Sequence, residues 1–408
     1  MKHLVLNGSL EAPKLHNLQI EKSKDGYLYD IHENKYLDLN SGLWNVTLGN
    51  DLEFNAKIKN SLNYILDNNM SFLDISSYNN SLYEETATDL LEFTNTSFSN
   101  FENVFFTNSG SEALELSYKI VNSIIDDKFV LTLNKSYHGT FYGGMALSGI
   151  TKSFVESHNP DYRKIKNIDL PNNHEEEQVI FNIIENNKES IGAIFIEPII
   201  SSGGIIYSNI DFYNTLISIC EDYGILVVFD EVATGFYKTK ERFFFHHLKK
   251  SPDILCLSKG INNGVLPSGS VLINNNIYKN LNNIKAEHFS TQNGNLLCIK
   301  TVQETLKYYW IHDEALKENV RNIEETISNV KMNFDREIRN FGLMTAIPIS
   351  SEKSLLMILE KLRSQKILTF CYETESEQGI LLMPNININI NILKKALIFI
   401  LKTIEKLD

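Results

Sequence analysis

Between residues 100 and 275 the chain repeats one pattern, a short and almost wholly apolar run followed by a segment with helical periodicity. The runs are Val104–Phe106, Phe129–Leu133, Ala193–Ile196, Leu226–Phe229, Ile254–Leu257 and Ser270–Ile273. A strand that is apolar on both faces must be covered on both. The pattern therefore predicts an α/β fold with a mostly parallel sheet between layers of helices. Residues 112–125 set Leu116, Ile120, Val121 and Ile124 on one helical face, and 212–223 read as a second helix. Sheets of this kind bind ligands beyond the carboxyl ends of their strands, so the residues just after each run are the candidates for chemistry.

The flanks read differently. Residues 24–40 suggest a β-hairpin with its loop at Glu33-Asn34. Residues 314–335, 352–363 and 393–406 suggest helices, and the Asn-Ile alternation closing Gly379–Ile392 suggests a strand with one buried face. The expected organisation is a large central domain and a smaller α+β domain built from both chain ends. In residue terms, 1–50 form an arm and part of the small domain, and 51–300 the large domain. Residues 301–408 form an interdomain helix and the rest of the small domain.

Composition removes several function classes. The net charge is −13 with no Lys/Arg-rich stripe, which argues against a nucleic-acid binder or an anionic-membrane binder. The four cysteines, at 220, 256, 298 and 371, form no C-x-x-C, so neither a zinc ribbon nor a disulfide scaffold is indicated. No apolar run nears the roughly 18 residues of a membrane span. Met1–Leu10 lacks the apolar core of a signal peptide. The expectation is a cytoplasmic enzyme without a metal site.

The strand ends carry a consistent set of side chains. After the first run, Asn108-Ser109-Gly110-Ser111-Glu112 opens a helix, whose free backbone N–H groups could hold a phosphate or could simply be capped. After the second come Ser136, Tyr137, His138 and Gly139, where the aromatic could stack on a planar ligand or belong to the core. After the third come Glu197-Pro198 and the turn Ser201-Ser202-Gly203-Gly204. After the fourth comes Asp230, a carboxylate at a buried strand tip that needs a positive partner or hydrogen bonds. After the fifth comes Lys259, an amine that is costly there unless paired, depressed in pKa or used covalently. His288 to Asn295, including Ser290 and Thr291, precedes another helix as a plain loop or a second phosphate turn.

In this order the motifs resemble the class-III aminotransferases, pyridoxal-phosphate enzymes of fold type I. The resemblance runs from Ser41-Gly42-Leu43-Trp44 to Asn295 and is most specific over Val228–Gly269. There Phe-Asp-Glu-Val-Ala-Thr-Gly-Phe, Leu-Ser-Lys-Gly and Gly-Val-Leu-Pro-Ser-Gly follow one another, with Asp230 and Lys259 29 residues apart. The resemblance implies a seven-stranded, mostly parallel sheet and pyridoxal 5'-phosphate as cofactor. It makes Lys259 the Schiff-base lysine and proton shuttle, and Asp230 the partner of the pyridine nitrogen. Tyr137 and Val232 would cover the two ring faces. Gly110 and Ser111 would hold the phosphate, with Ser290 also at the cofactor and Thr291 reaching the phosphate from the neighbouring subunit of a homodimer. Glu197 and His138 would stand near the cofactor, and Trp44 in the substrate pocket.

Departures from the family pattern bear on the substrate. Many members bind a substrate carboxylate with an Arg three residues before a C-terminal Pro, a task suited to a guanidinium fork. Here Leu381 occupies that place before Pro384, Ser202 stands where relatives carry a Glu, and Thr140 where others carry Arg. The chain has only six arginines, at 163, 242, 321, 336, 339 and 363, of which Arg163 is the candidate to visit the pocket. The expectation is an aminotransferase with a small-molecule amine donor and a carbonyl acceptor. At least one substrate would lack an α-carboxylate: a simple amine, an amino-ketone or a modified peptide end. Aminomutases, racemases and decarboxylases of the same family share the Lys and the Asp. A non-catalytic relative would have lost the Lys, the Asp or the phosphate turn, and all three persist here.

Overall fold

Residues 18–70, 72–281 and 287–408 are described by a computed structural model. Met1–Leu10 lie outside the described residues. The described chain begins with three antiparallel strands, β1 (Ile20–Lys24), β2 (Tyr27–Asp30) and β3 (Lys35–Asp38). The turn between β2 and β3 holds Glu33 at a positive φ of 60° and is tied by Asp30, whose carboxylate accepts from the N–H groups of His32 and Asn34.

The central sheet has seven strands: β4 (Phe101–Thr107), β5 (Phe129–Leu133), β6 (Ile165–Ile168), β7 (Ile191–Ile196), β8 (Leu226–Asp230), β9 (Ile254–Leu257) and β10 (Gly269–Asn274). Their spatial order is β4-β10-β9-β8-β7-β5-β6. Only β10 runs against its neighbours. The six apolar runs are six of these strands. The seventh, β6, was hidden in the sequence because it is a short edge strand with a half-polar reading, Ile-Lys-Asn-Ile. Apolar contacts on both faces hold β7, β8 and β9 almost completely buried.

The C-terminal part supplies β11 (Arg339–Phe341), β12 (Met344–Ile349), β13 (Ile367–Leu368), β14 (Phe370–Glu373) and β15 (Gln378–Leu382). β13 pairs parallel with β3, and the other four make a separate sheet in the order β11-β12-β15-β14. Helices Asp313–Lys331, Glu352–Ser364 and Ile390–Leu407 match the expected periodic segments. The strand expected through the Asn-Ile alternation stops at Leu382. Beyond it the asparagines take over the backbone: Asn385 Oδ1 accepts from Asn387 N–H, and Asn389 Oδ1 caps the last helix through Asn391 and Ile392. Ile386 and Ile388 stay buried from an irregular segment, because short polar side chains competing for N–H groups favour turns and caps over a ladder. Among the described residues no helix is long and apolar enough to cross a membrane.

Candidate active site

Strands β5, β7, β8 and β9 are neighbours, and their carboxyl ends deliver Tyr137, Glu197, Asp230 and Lys259 in that spatial order. All four line one cavity of about 220 Å³. A wider cleft of about 750 Å³, lined by Lys135, Ile200 and Arg339, contains none of these four side chains, and its Arg339 is tied to Glu377.

Asp230 ends β8 with both oxygens engaged. Oδ1 accepts from the Val232 N–H at 3.0 Å, and Oδ2 lies 2.8 Å from His138 Nδ1. His138 is held in turn by its backbone N–H, which donates to Ser148 Oγ at 2.7 Å. Glu197 accepts from the N–H groups of Tyr137 at 2.6 Å and Ser201 at 3.2 Å. Burial, reinforced by the neighbouring Asp230 charge, pushes its carboxyl up to about 7. The same burial and the same two carboxylates push the Tyr137 phenol up.

Lys259 sits past β9 with φ 46°, a left-handed conformation that a lysine adopts at a cost of about 1 kcal/mol or more. Its Nζ lies 4.5 Å from the centre of the Trp44 ring. Removal from water pulls the amine down to about 8, against the opposing pull of Asp230 and Glu197. A partly neutral amine beside two carboxylates can act as nucleophile and as proton carrier.

Trp44 belongs to a left-handed turn: Ser41, Gly42, Leu43 and Trp44 all have φ between 45° and 68°. Such a run is held only by surrounding structure. Ser41 Oγ donates to the Met383 carbonyl at 2.8 Å, and Phe370 meets the Trp44 ring edge-on at 6.1 Å.

Opposite the strand ends, helix Gly110–Ile124 points its first turn at the cavity, capped by Ser109. Its leading N–H groups have no partners within the helix and suit an anion. Gly110 is needed there, since a Cβ would come within 2.7 Å of Val232 Cγ1. Gly139, at φ 91°, is needed as well, because its Cβ would lie 2.5 Å from Ser111 Oγ.

Gly110, Ser111, Tyr137, His138, Glu197, Asp230, Val232, Lys259 and Trp44 thus meet at one cavity. Four expected residues do not line it. Leu381 is buried in β15, paired with Ala346 and Phe370 in the apolar core. Ser290 and Thr291 are not among the lining residues; Ser290 is half-buried and Thr291 exposed. Arg163 is on the surface, forked onto Asp161. Sequence reasoning passed over Ser258 and Ala233 as lining residues, although both adjoin named strand-end positions. The Glu231 carboxylate, accepting from the N–H groups of Phe244 and Phe245, was also passed over.

The family model for class-III aminotransferases matches residues 10–403. The acetylornithine aminotransferase of Lactococcus lactis subsp. lactis is 32% identical over 365 residues, spanning 85% of this chain and 87% of that protein. The adenosylmethionine-8-amino-7-oxononanoate aminotransferase of Staphylococcus aureus is 30% identical over 392 residues, spanning 87% of this chain and 83% of its own. Among solved structures, a transaminase from the marine bacterium Virgibacillus superposes with a TM-score of 0.88 at 22% identity, covering 100% of this chain and 98% of that one. A PLP-bound amine transaminase from an uncultivated Pseudomonas species does so with 0.87 at 22% identity, covering 100% and 99%.

Proposed function

This chain belongs to the class-III aminotransferase family, and from that premise we propose that at least one of its two substrates carries no α-carboxylate. The enzyme is pyridoxal-phosphate-dependent, and the bound cofactor supplies an electron sink for the carbon that loses its proton. The residues present fit that group. A carboxylate, an amine and an aromatic ring converge on a cavity also lined by a helix N-terminus, where a Cβ at position 110 would press against Val232.

In this reading Lys259 would hold the cofactor through Nζ, and the same atom would carry a proton between the substrate carbon and the cofactor. Asp230, fixed by Val232 and His138, would pair with the ring nitrogen. Tyr137 and Val232 cover the ring, while Gly110 and Ser111 receive the phosphate. Ser290 and Thr291 serve the neighbouring subunit's site in a homodimer. That last assignment is supported by their position off the chain's own cavity and by exposed Leu43, Phe141, Tyr142 and Phe289 in the segments around it.

One observation carries the substrate proposal. Among the described residues, Lys259 is the only lysine or arginine lining the cavity, and the acidic side chains there are Asp230 and Glu197. A carboxylate entering such a site meets like charge and no guanidinium, at a cost of several kcal/mol. A simple amine, an amino-ketone or an aminated peptide end avoids it. The test is the visible spectrum of the holoenzyme during single half-reactions. Bleaching of the cofactor band by carboxylate-free amines, with glutamate and alanine inert, would put the carboxylate-free compound on the donor side; bleaching by glutamate or alanine would put it on the acceptor side. If neither substrate side accepts a carboxylate-free compound, the proposal fails.

A further inference from the structure

The Glu112 carboxylate makes two separate sets of contacts. Oε2 accepts from the Asn108 N–H at 2.8 Å and from Asn108 Nδ2 at 3.1 Å, which closes the start of its own helix. Oε1 takes no part in the helix. It accepts from His288 Nε2 at 2.9 Å and from Asn293 Nδ2 at 2.9 Å, partners 176 and 181 residues away in the chain. Asn108 adds contacts from Nδ2 to Asn293 Oδ1 at 2.5 Å and to Ser290 Oγ at 3.4 Å. Lys119 Nζ lies 3.5 Å from His288 Nδ1, so the imidazole offers its N–H to the carboxylate and its lone pair to the ammonium. The His288–Glu112 contact is nearly sealed, with side-chain exposure of 11% for His288 and 7% for Glu112. Burial would raise the Glu112 carboxyl, but the bonds from His288, Asn108 and Asn293 outweigh it and hold it down at about 2.

The two ends of this cluster differ in what else supports them. The helix start keeps the Ser109 cap, made through the backbone N–H of Glu112, whatever the Glu112 side chain is. The turn has no such reserve. Among the described residues, the side-chain hydrogen bonds from 288–293 to other elements go to Glu112, Asn108 or Lys119, and the one remaining bond leaving the segment is the adjacent Asn295 Nδ2 donating to Gln292 Oε1.

We propose that Glu112 is a positioning residue that locks the 288–293 turn, and that it thereby sets the cofactor affinity of the neighbouring subunit rather than of its own. The proposal rests on the reading that each site is completed by the partner subunit's Thr291.

Mixed dimers separate the possibilities. Two differently tagged chains are co-expressed and the heterodimer is isolated. Lys259→Ala on one chain leaves a single covalent site, in the other chain, whose affinity for pyridoxal phosphate is read by absorbance. In the first arrangement Glu112→Gln is placed on the chain that keeps Lys259. In the second it is placed on the chain that carries Lys259→Ala. The proposal expects wild-type affinity in the first and a loss of about tenfold in the second, the scale of a lost hydrogen bond to a charged group. The opposite pattern, an equal loss in both, or no loss in either overturns it. The pair His288→Ala and Asn293→Ala reaches the same cluster from the turn and should give the same pattern, which keeps the test open if Glu112→Gln does not fold. Thr291→Ala in the same two arrangements reports on the underlying reading. If Thr291→Ala weakens the second arrangement and Glu112→Gln does not, only the positioning role fails. If Thr291→Ala acts in neither, or in its own subunit, the shared-site reading fails first.

Discussion

His138 Nδ1 stands 2.8 Å from Asp230 Oδ2, and both side chains are sealed from solvent, at 0% and 5% exposure. The two residues follow β5 and β8, which are not neighbours, so the bond reaches across the end of β7. With Val232 on the other oxygen, the Asp230 carboxylate cannot rotate without breaking a buried hydrogen bond. A carboxylate fixed at a strand tip is preorganised for the proposed pairing with a ring nitrogen.

Asp230→Asn should lower turnover by about a hundredfold or more, the scale of losing one preorganised charge at a reacting centre. His138→Asn should cost less, about tenfold, because the Val232 N–H still orients the carboxylate. Steady-state kinetics on both variants checks the order. A larger loss for His138→Asn would mean that the histidine does more than hold Asp230.

Lys259→Ala should remove the covalent cofactor band and reduce transamination by at least about a thousandfold. Absorbance after dialysis, together with turnover, is the check. Residual transamination at wild-type level would remove Lys259 from its assigned role.

The pH behaviour of the cofactor-free protein follows from two opposite shifts. Lys259 is depressed to about 8 by burial, below its ordinary 10.5. Capture of pyridoxal phosphate needs the neutral amine, so its rate should rise with pH and level off above about 8 instead of climbing to 10.5. Glu197 is shifted the other way, from 4.5 to about 7, chiefly by burial. A raised folded-state value favours the protonated form, so its contribution to stability is full below 4.5 and is lost as pH rises through 7. Glu197→Gln should flatten the stability curve between those two values, as measured by urea unfolding at stepped pH.

Gly139→Ala should weaken cofactor binding as well as the fold. The new methyl would lie 2.5 Å from Ser111 Oγ and 2.9 Å from Ser111 Cα, at a φ of 91° that disfavours any side chain. A loss of about 1–3 kcal/mol is expected from strain of this kind. Parallel thermal melts with and without pyridoxal phosphate should show a reduced stabilisation by the cofactor.

Leu381→Arg should destabilise the protein by several kcal/mol and should not create a carboxylate-binding enzyme. Leu381 is 1% exposed, in the middle of a strand pair, and does not line the cavity. An unpaired guanidinium there has no counter-ion. Denaturant unfolding, together with half-reactions using glutamate, distinguishes this from a gain of donor range.

The apolar runs were readable because a fully buried strand allows nothing else, and the ends of such runs announce themselves by their first polar residue. Asp230 and Lys259 are legible for that reason. Edge strand Ile165–Ile168 was not, since half of it faces solvent and its composition resembles a loop. The Asn-Ile alternation misled for a related reason. Period-two burial signals a strand only when the intervening side chains leave the backbone N–H groups free, and Asn385 and Asn389 do not.

The sequence by itself determined the sheet class and the chemistry of the strand tips, because both depend on local residue type and spacing. The tertiary structure decided which of those tips share a cavity, that Leu381 turns into the core, and that Glu112 is committed to a turn 176 residues further along. These are relations across strand order and between distant segments. No periodicity encodes them, because they are set by how the layers pack once the local elements exist.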